Sequence, residues 1–316
     1  MLIVFIKVFT IFAMTGAGYA ANKLKVLPDS SAVPLTSLLI NISTPCLILN
    51  SMGGTRLTAG TLRQTVEVLV VSSCVMFITA LLSILIVKIM RWQPTEDQGC
   101  VMAVLTSINT GFLGFPVAKA VFGNKIFYLF VIQNIILNFY MYSALIVQLN
   151  YGQKTRISGK TMLRSMCTMP MFATIAGCIL LISGVRLPEP VMSFLSTMGD
   201  MTIPLSMILV GVLLGKSHLK ELITNKRLVI VCLLADLLMP AISFLLVNWL
   251  PISPAAKLTC IYAEAFPCAV ITAAIAEQQH KNARLISEGI ALSTFFSMGT
   301  LPVVTAVLMH VYGGLI

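Results

Sequence analysis

Charged residues are scarce in this chain. They make up 10% of its 316 residues, whereas hydrophobic residues make up 58%; an ordinary soluble domain carries about 25% charged residues. Apolar runs of about 20 residues, each long enough to cross a hydrocarbon core of roughly 30 Å, recur along the whole length. This composition excludes a water-soluble domain and predicts an all-α integral membrane protein with several spans.

Sequence patterns of catalysis and metal binding are also missing. The histidines, His218, His280 and His310, form no HExxH pattern, and no serine lies in a GxSxG sequence. The eight cysteines show no CxxC spacing. We therefore expect no enzyme, no metal site and no cofactor. The net charge of +10 is typical of basic cytoplasmic loops, so we expect no nucleic-acid partner.

The apolar runs predict ten helices. Their expected ranges are 2–22, 33–53, 65–88, 97–121, 125–150, 166–184, 190–214, 228–250, 255–277 and 286–312. The first run is too long for a signal peptide and is interpreted as a retained span. Most lysines and arginines fall in the odd-numbered connections, which predicts that these face the cytoplasm and that both termini lie outside it.

The longest basic connection, 151–165, divides the spans into five and five. Residues 1–150 and 166–316 are then two repeats, in which Pro45 of span two matches Pro204 of span seven. Likewise GFP, ending at Pro116 in span four, matches AFP, ending at Pro267 in span nine. Because five is odd, the second repeat is inverted. A single proline is usually only a kink, but matched interruptions in inverted repeats indicate a secondary transporter with a midplane site.

The stretch NTGFLGFP at residues 109–116 predicts an interruption of span four. Proline lacks an N–H and glycine lowers the cost of leaving helical geometry, so the helix is expected to open between Gly111 and Pro116. A similar opening near Phe266 and Pro267 would bring two half-helix N-termini together. Each carries about +0.5 of an elementary charge, so the pair favours an anion.

Side-chain amides are further candidates for the binding site. Asn109 at the interruption offers both donors and an acceptor, and VIQNIILNF on span five places Gln133, Asn134 and Asn138 close together. Buried amides on membrane helices often only connect helices, so both roles stay open for Gln133 and Asn138. The predicted substrate-binding residues are Asn109, Thr110, Gly111, Gly114, Pro116, Gln133, Asn138, Phe266, Pro267 and Cys268.

NTGFLGFP, together with LINISTPCLIL in span two and AFPCAVITAAIAEQ in span nine, resembles the auxin efflux carrier family over essentially the whole chain. That family, part of the bile acid, auxin and arsenite transporter superfamily, includes plant auxin exporters and bacterial carriers of malonate, malate and similar acids. The resemblance implies ten helices in two inverted repeats, a scaffold domain, a transport domain containing crossing helices four and nine, and an elevator-type motion. It also implies a polar residue of span five at the site, which Gln133 and Asn138 match in position.

The resemblance therefore predicts a secondary active transporter of small organic anions, such as malonate, malate or auxin-like acids, in the cell membrane. The connection after Tyr151 is short, unlike the long cytoplasmic loop of many plant members, and this favours a bacterial-type carrier. Alternatives are a sodium-coupled organic-anion symporter of the bile-acid-symporter type, and a uniporter or channel. A homodimer is the candidate assembly.

Few acidic residues fall within the predicted spans, and these are candidates for ion coupling. Glu264 precedes Pro267 by three residues, and because burial favours a protonated carboxyl group, it is a candidate proton carrier. Asp200 precedes Pro204 by four residues and, with carbonyls of an interrupted span seven, is a candidate sodium ligand. A structural hydrogen bond or ion pair is the alternative for both. The coupling ion is thus a proton or sodium.

Overall fold

The computed structural model describes residues 2–152, 167–217 and 219–314. Within these ranges the chain is helical and contains no β-strand, apart from one isolated antiparallel bridge between Ile108 and Cys268. The all-α prediction is therefore confirmed for this part of the chain. Most of the predicted cytoplasmic connection 151–165, from residue 153 onward, lies outside the described residues.

Many of the helices are shorter than a membrane span and follow one another closely. In chain order they are α1 (Leu2–Lys23), α2 (Ala32–Leu38), α3 (Thr44–Gly54), α4 (Ala59–Ile89), α5 (Gln98–Thr106), α6 (Phe115–Phe122), α7 (Asn124–Met141), α8 (Ala144–Leu149), α9 (Met169–Ser183), α10 (Glu189–Asp200), α11 (Thr202–Lys216), α12 (Leu219–Leu222), α13 (Lys226–Leu233), α14 (Met239–Val247), α15 (Pro254–Ala263), α16 (Ile271–Gln278) and α17 (Ala283–Tyr312).

Six helical stretches of the described chain are long and apolar enough to cross a membrane. They are Asp29–Gly54, Ala59–Ile89, Ile126–Leu149, Glu189–Lys216, Lys226–Val247 and Ala283–Tyr312. The other four predicted spans correspond to α1, to α9, and to the interrupted pairs α5–α6 and α15–α16. A helix of ten residues is only about 15 Å long, half the hydrocarbon thickness. The count of ten spans therefore stays a prediction.

The surface of the long helices is apolar, as a lipid-facing surface requires. On α4, Val70, Phe77, Leu81 and Leu85 are each at least half exposed, and their spacing places them on one face of the helix. A contiguous apolar stripe of this length is unusual on a soluble protein. The exposed face of α4 thus fits contact with lipid.

The described chain contains three turns of π-helix, two within continuous helices and one at the start of a helical segment. They are Leu39–Ser43, Thr110–Gly114 and Leu234–Leu238, and each ends two residues before a proline: Pro45, Pro116 and Pro240. Proline supplies no N–H and its ring crowds the carbonyl four residues earlier, so the preceding turn widens to five residues per hydrogen bond.

The two prolines predicted to break spans two and seven therefore act differently. At Pro45 the chain stays helical from α2 through the widened turn into α3, and a functional break of the helix there stays a prediction. Near Pro204 the interruption is a single residue, Met201, between α10 and α11.

Helices α1 and α11 pack against each other with their backbones in contact, at glycines on both helices. A Cβ atom at Gly211 would lie 2.1 Å from the Thr15 carbonyl oxygen, and one at Gly18 would lie 2.3 Å from the Ile208 carbonyl oxygen. Small residues are the usual means of close helix approach in membranes, where no hydrophobic force holds helices together.

Replacing Gly211 with alanine is therefore expected to destabilise the protein by about 1–3 kcal/mol, the usual cost of overpacking. The measurement is thermal unfolding in detergent, followed by intrinsic fluorescence. Gly16→Ala on α1 is the matched control, since a Cβ there meets no atom within 4 Å. Equal unfolding temperatures for the two variants would contradict the close packing of α1 on α11.

Candidate functional site

The helix of span four is interrupted at the start of the NTGFLGFP stretch. Helix α5 ends at Thr106, residues 107–109 are not helical, and the π-turn Thr110–Gly114 leads into α6. The opening therefore lies upstream of the predicted position between Gly111 and Pro116. Pro116 sits in the first turn of α6, directly after the π-turn, so its missing N–H falls where the widened turn has already changed the hydrogen-bond pattern.

The second interruption lies between α15 and α16, where residues 264–270 are not helical. The two interruptions meet and exchange backbone hydrogen bonds: the Asn109 N–H donates to the Pro267 carbonyl oxygen (2.8 Å), and the Ala269 N–H donates to the Ser107 carbonyl oxygen (3.0 Å). Ser107 Oγ and Cys268 Sγ are also 3.0 Å apart. We call the meeting point of residues 107–109 and 264–270 the crossover. The hydrogen bonds between the two segments pair some of the backbone N–H and C=O groups that have no helical partner at membrane depth.

A cavity of about 120 Å³ lies against the crossover. The starts of both following helical segments line it. Gly111 of the π-turn before α6 lies on one side, and Val270 and Ile271 at the start of α16 lie on the other. The first amides of a helix have no acceptor within it, so two positive helix ends adjoin the cavity. The remaining lining residues are Ile40, Thr44, Ile108, Asn109, Phe112, Phe115, Asn134, Leu137, Asn138, Met141, Tyr142, Thr168, Pro170 and Ala269.

Asn109 is the polar residue of the cavity with the clearest unused donor. Its side chain is 3% exposed, and Oδ1 accepts the Phe112 N–H at 3.2 Å, which caps the π-turn. The amide nitrogen Nδ2 is buried and has no partner among the residues that the structure describes, and the same is true of the Thr44 hydroxyl oxygen. An unsatisfied buried donor costs about 1–3 kcal/mol, so a bound acceptor at this point would recover that cost.

Amides of α7 form a chain of hydrogen bonds that ends beside Asn109. Asn138 Nδ2 donates to Asn134 Oδ1 (2.8 Å), and Asn134 Nδ2 donates to Thr110 Oγ1 (2.8 Å). Asn134 and Asn138 both line the cavity, whereas Thr110 is fully buried behind it. The chain fixes the orientation of both amides relative to the crossover.

The other predicted substrate-binding residues are buried near the crossover but do not line the cavity: Gly114, Pro116, Gln133, Phe266, Pro267 and Cys268. Gly114 packs on the Phe266 ring, which would lie 3.1 Å from an added Cβ atom. The Gln133 Oε1 atom is buried and has no hydrogen-bond partner in the described part of the chain. A direct contact of these six residues with substrate stays a prediction.

The two predicted ion-coupling acids have different surroundings. Glu264 is 3% exposed and lies within the crossover segment, next to the end of α15. Asp200 has a side chain that is 59% exposed, and its Oδ1 lies 2.6 Å from Lys119 Nζ of α6. Asp200 therefore forms an ion pair, which was the alternative to its role as a sodium ligand.

Sequence reasoning left Thr44, Asn134, Val270 and Ile271 out of the predicted site. Thr44 stands next to Pro45 in a stretch already singled out, and Asn134 shares a helix face with Asn138. Thr44 and Asn134 could therefore have been predicted from the sequence. Val270 and Ile271 carry no polar group, and only the position of the second half-helix brings them to the cavity.

The sequence was compared with known proteins. A family profile described as membrane transport protein matches residues 3–305. An uncharacterized transporter of Methanothermobacter thermautotrophicus is 26% identical over 310 residues, which is 95% of this chain and 97% of the relative. An uncharacterized transporter of Methanocaldococcus jannaschii is 24% identical over 302 residues, 92% of this chain and 94% of the relative.

Proposed function

Because the chain belongs to the membrane transport protein family, the auxin efflux carrier family, and is thus a multi-pass membrane transporter and not an enzyme, we propose that it carries small organic anions by secondary active transport. The proposed binding site is the cavity at the crossover. The substrate class comprises weak carboxylic acids such as malonate, malate or auxin-like acids.

The observation that carries this proposal is the unused Asn109 amide donor beside two positive helix ends. Among the described residues, none that lines the cavity is charged, so a carboxylate there would depend on helix dipoles and neutral donors. Helix N-termini suit this task because their N–H groups and partial positive charge need no counter-ion side chain. The apolar wall, with Phe112, Phe115 and Leu137, suits the hydrocarbon part of a weak acid.

We further propose the arrangement of ten spans as two inverted repeats, residues 1–150 and 166–316, with both termini outside the cytoplasm. Two interrupted helices at matching places in the two halves support it. In this arrangement an elevator-type motion carries the crossover relative to a scaffold. Scaffold and transport domain, and the orientation, are part of the proposal.

The cavity and the Lys119–Asp200 ion pair support an inward-facing state in that orientation. Thr168, which lines the cavity, follows closely after the predicted cytoplasmic connection 151–165. Lys119 stands near the end of α6, before a connection predicted to be external. The ion pair would then hold the outer side closed while the cavity opens inward.

Counterflow in proteoliposomes tests the proposed function. Vesicles loaded with unlabelled malonate should accumulate labelled malonate transiently, whereas a channel gives no such overshoot and a protein without transport gives no uptake. Thermal-shift measurements across mono- and dicarboxylates at two pH values select the acid, since ligand at 100 Kd stabilises by about 2.7 kcal/mol. Stabilisation by none of these acids, together with no counterflow, would contradict the proposal.

Replacing Glu264 with glutamine is expected to reduce the response of organic-acid uptake to an imposed pH gradient, with expression unchanged. The buried carboxyl group can take up a proton near the crossover, and the amide cannot. The measurement is initial uptake of labelled malonate over a pH series. Glu189→Gln, which changes an exposed carboxyl group, is the control. A pH dependence identical to that of the unmodified protein would remove Glu264 from coupling.

A further inference from the structure

Asp236 is a buried acid that the crossover cavity does not include. It lies at the middle of the membrane-spanning stretch Lys226–Val247, inside the π-turn Leu234–Leu238, and is 0% exposed. Both carboxyl oxygens are buried and have no hydrogen-bond partner among the described residues. A carboxyl group without any donor is rare in a protein interior and calls for a physical account.

The groups around Asp236 are neutral. The π-turn packs against α13, α14, α17 and α5, and the thiols of Cys232 and Cys268 are close enough to Asp236 to interact with it electrostatically. Helix α14 has no titratable residue. The other titratable residues on the remaining three helices are Cys100, Lys226, Arg227, Arg284, Glu288, His310 and Tyr312.

None of those seven neutralises Asp236 in the described structure. Lys226 and Arg227 are exposed at the start of α13, more than two turns away, and Arg284 pairs with Glu288. An ionised carboxylate in such a place, with neither a donor nor a counter-ion, would carry a desolvation penalty of several kcal/mol. The group is therefore neutralised by an occupant, either a proton or a metal cation.

A proton fits these surroundings better than sodium does. A hard cation needs several oxygen ligands around it, whereas the neighbouring titratable groups are thiols, which suit soft metals. A proton needs one carboxyl oxygen and no further ligand. The widened π-turn is also typical of functional positions in helices.

Helix α17 links the surroundings of Asp236 to the crossover. Cys268 belongs to the crossover, where its Sγ lies 3.0 Å from Ser107 Oγ and its N–H donates to Ser293 Oγ of α17 (3.1 Å). Cys232, one turn before Asp236, donates to the Gly289 carbonyl oxygen of the same helix α17 (3.5 Å). A displacement of the crossover would therefore change what surrounds the Asp236 carboxyl group.

From this geometry we propose that Asp236 is a proton-binding site of the transporter, separate from the anion cavity, through which a proton gradient drives the carrier. The inference rests on the proposed function. In the described conformation a carboxyl oxygen of Asp236 holds the proton. Once water or a donor reaches the group in another conformation, the proton leaves to water and the carboxylate forms.

Infrared spectroscopy of the purified full-length protein tests the site without any substrate. At neutral pH the spectrum should contain the C=O band of a protonated carboxyl group that Asp236→Asn removes and the exposed-site control Glu96→Gln retains. Glu264→Gln identifies the contribution of the other buried acid. Identical carboxyl bands in the unmodified protein and in Asp236→Asn would overturn the proposal.

Gradient-driven uptake of radiolabelled malonate tests the coupling. An acidic exterior should accelerate uptake by vesicles containing the unmodified protein or Glu96→Gln, and Asp236→Asn should lose that acceleration while keeping malonate counterflow. Acceleration retained in Asp236→Asn would overturn the coupling role. If malonate is not carried at all, the proposed substrate class fails, and the infrared result still decides the proton site.

A variant that keeps the acid covers the case in which Asp236→Asn does not fold. Asp236→Glu should retain a protonated carboxyl band and a gradient response with a displaced pH profile. An ionised carboxylate at neutral pH in Asp236→Glu, or a pH profile identical to that of the unmodified protein, would count against the proposal.

Discussion

Asn109→Ala is expected to weaken binding of the transported acid about tenfold to a hundredfold. A hydrogen bond to a charged group contributes about 1.5–3 kcal/mol, and 1.4 kcal/mol corresponds to a factor of ten. The Asn109 amide nitrogen is buried beside the cavity with no partner in the described structure, so a carboxylate of the proposed substrate would supply the missing acceptor. The measurement is the dissociation constant of the acid from a ligand titration of the purified protein.

Stability must be separated from binding in this variant. Asn109 Oδ1 also caps the π-turn through the Phe112 N–H, and losing a cap costs about 1 kcal/mol. Asn109→Ser is the matched control, since its hydroxyl oxygen still offers a capping acceptor while the amide donor is gone. Weak binding in both variants, with near-normal unfolding of Asn109→Ser, assigns the loss to the amide. Unchanged affinity in Asn109→Ala would remove the residue from the site.

Cross-linking position 119 to position 200 is expected to abolish transport. Lys119 belongs to α6, which continues from the crossover, and Asp200 ends α10. Their 2.6 Å ion pair joins the two parts that the proposed motion must separate. An exposed ion pair contributes only about 0–1 kcal/mol, so it can break in each cycle, whereas a covalent link cannot. Transport should stop while binding of the acid persists.

The experiment uses Lys119→Cys with Asp200→Cys and a short bis-methanethiosulfonate linker, which replaces the length of the lysine side chain. The exposed cysteines Cys74 and Cys167 are first changed to serine, so that the reagent acts at the new pair. Reduction of the linker should restore transport, and each single cysteine variant should remain active after treatment. Full activity of the cross-linked protein would show that these two positions keep their distance during transport.

Most helix positions could be predicted from the sequence, and the errors at the helix ends have local causes. The span predicted at 65–88 begins at Ala59, because Thr58 and Thr61 form a capping box that starts the helix earlier. The span predicted at 286–312 begins at Ala283, where the Asn282 side chain caps the first turn. Both helices have polar residues in their first turns, so hydropathy did not indicate where they start. Hydropathy marks the membrane-embedded part of a helix and not its end.

The interruptions were predicted from proline and glycine, yet their details required the folded chain. Pro45 and Pro240 follow widened turns within continuous helices, and the chain opens at residues 107–109, not at Pro116. A proline in the sequence predicts only that one helical hydrogen bond is lost. Whether the helix widens or separates depends on what can satisfy the freed backbone. At the crossover, the partner is the other interrupted segment.

The sequence by itself determined that this is a helical membrane transporter, because scarcity of charge, repeated apolar runs and family motifs are properties of neighbouring residues. Only the tertiary structure decided that Ser107 and Asn109 bond to Ala269 and Pro267 and that Lys119 meets Asp200. It also decided that Asn109 Nδ2 and the Asp236 carboxyl oxygens have no hydrogen-bond partner among the described residues. Helix periodicity and hydropathy act over a few turns. Contacts between residues far apart in the chain depend instead on how all the helices pack together.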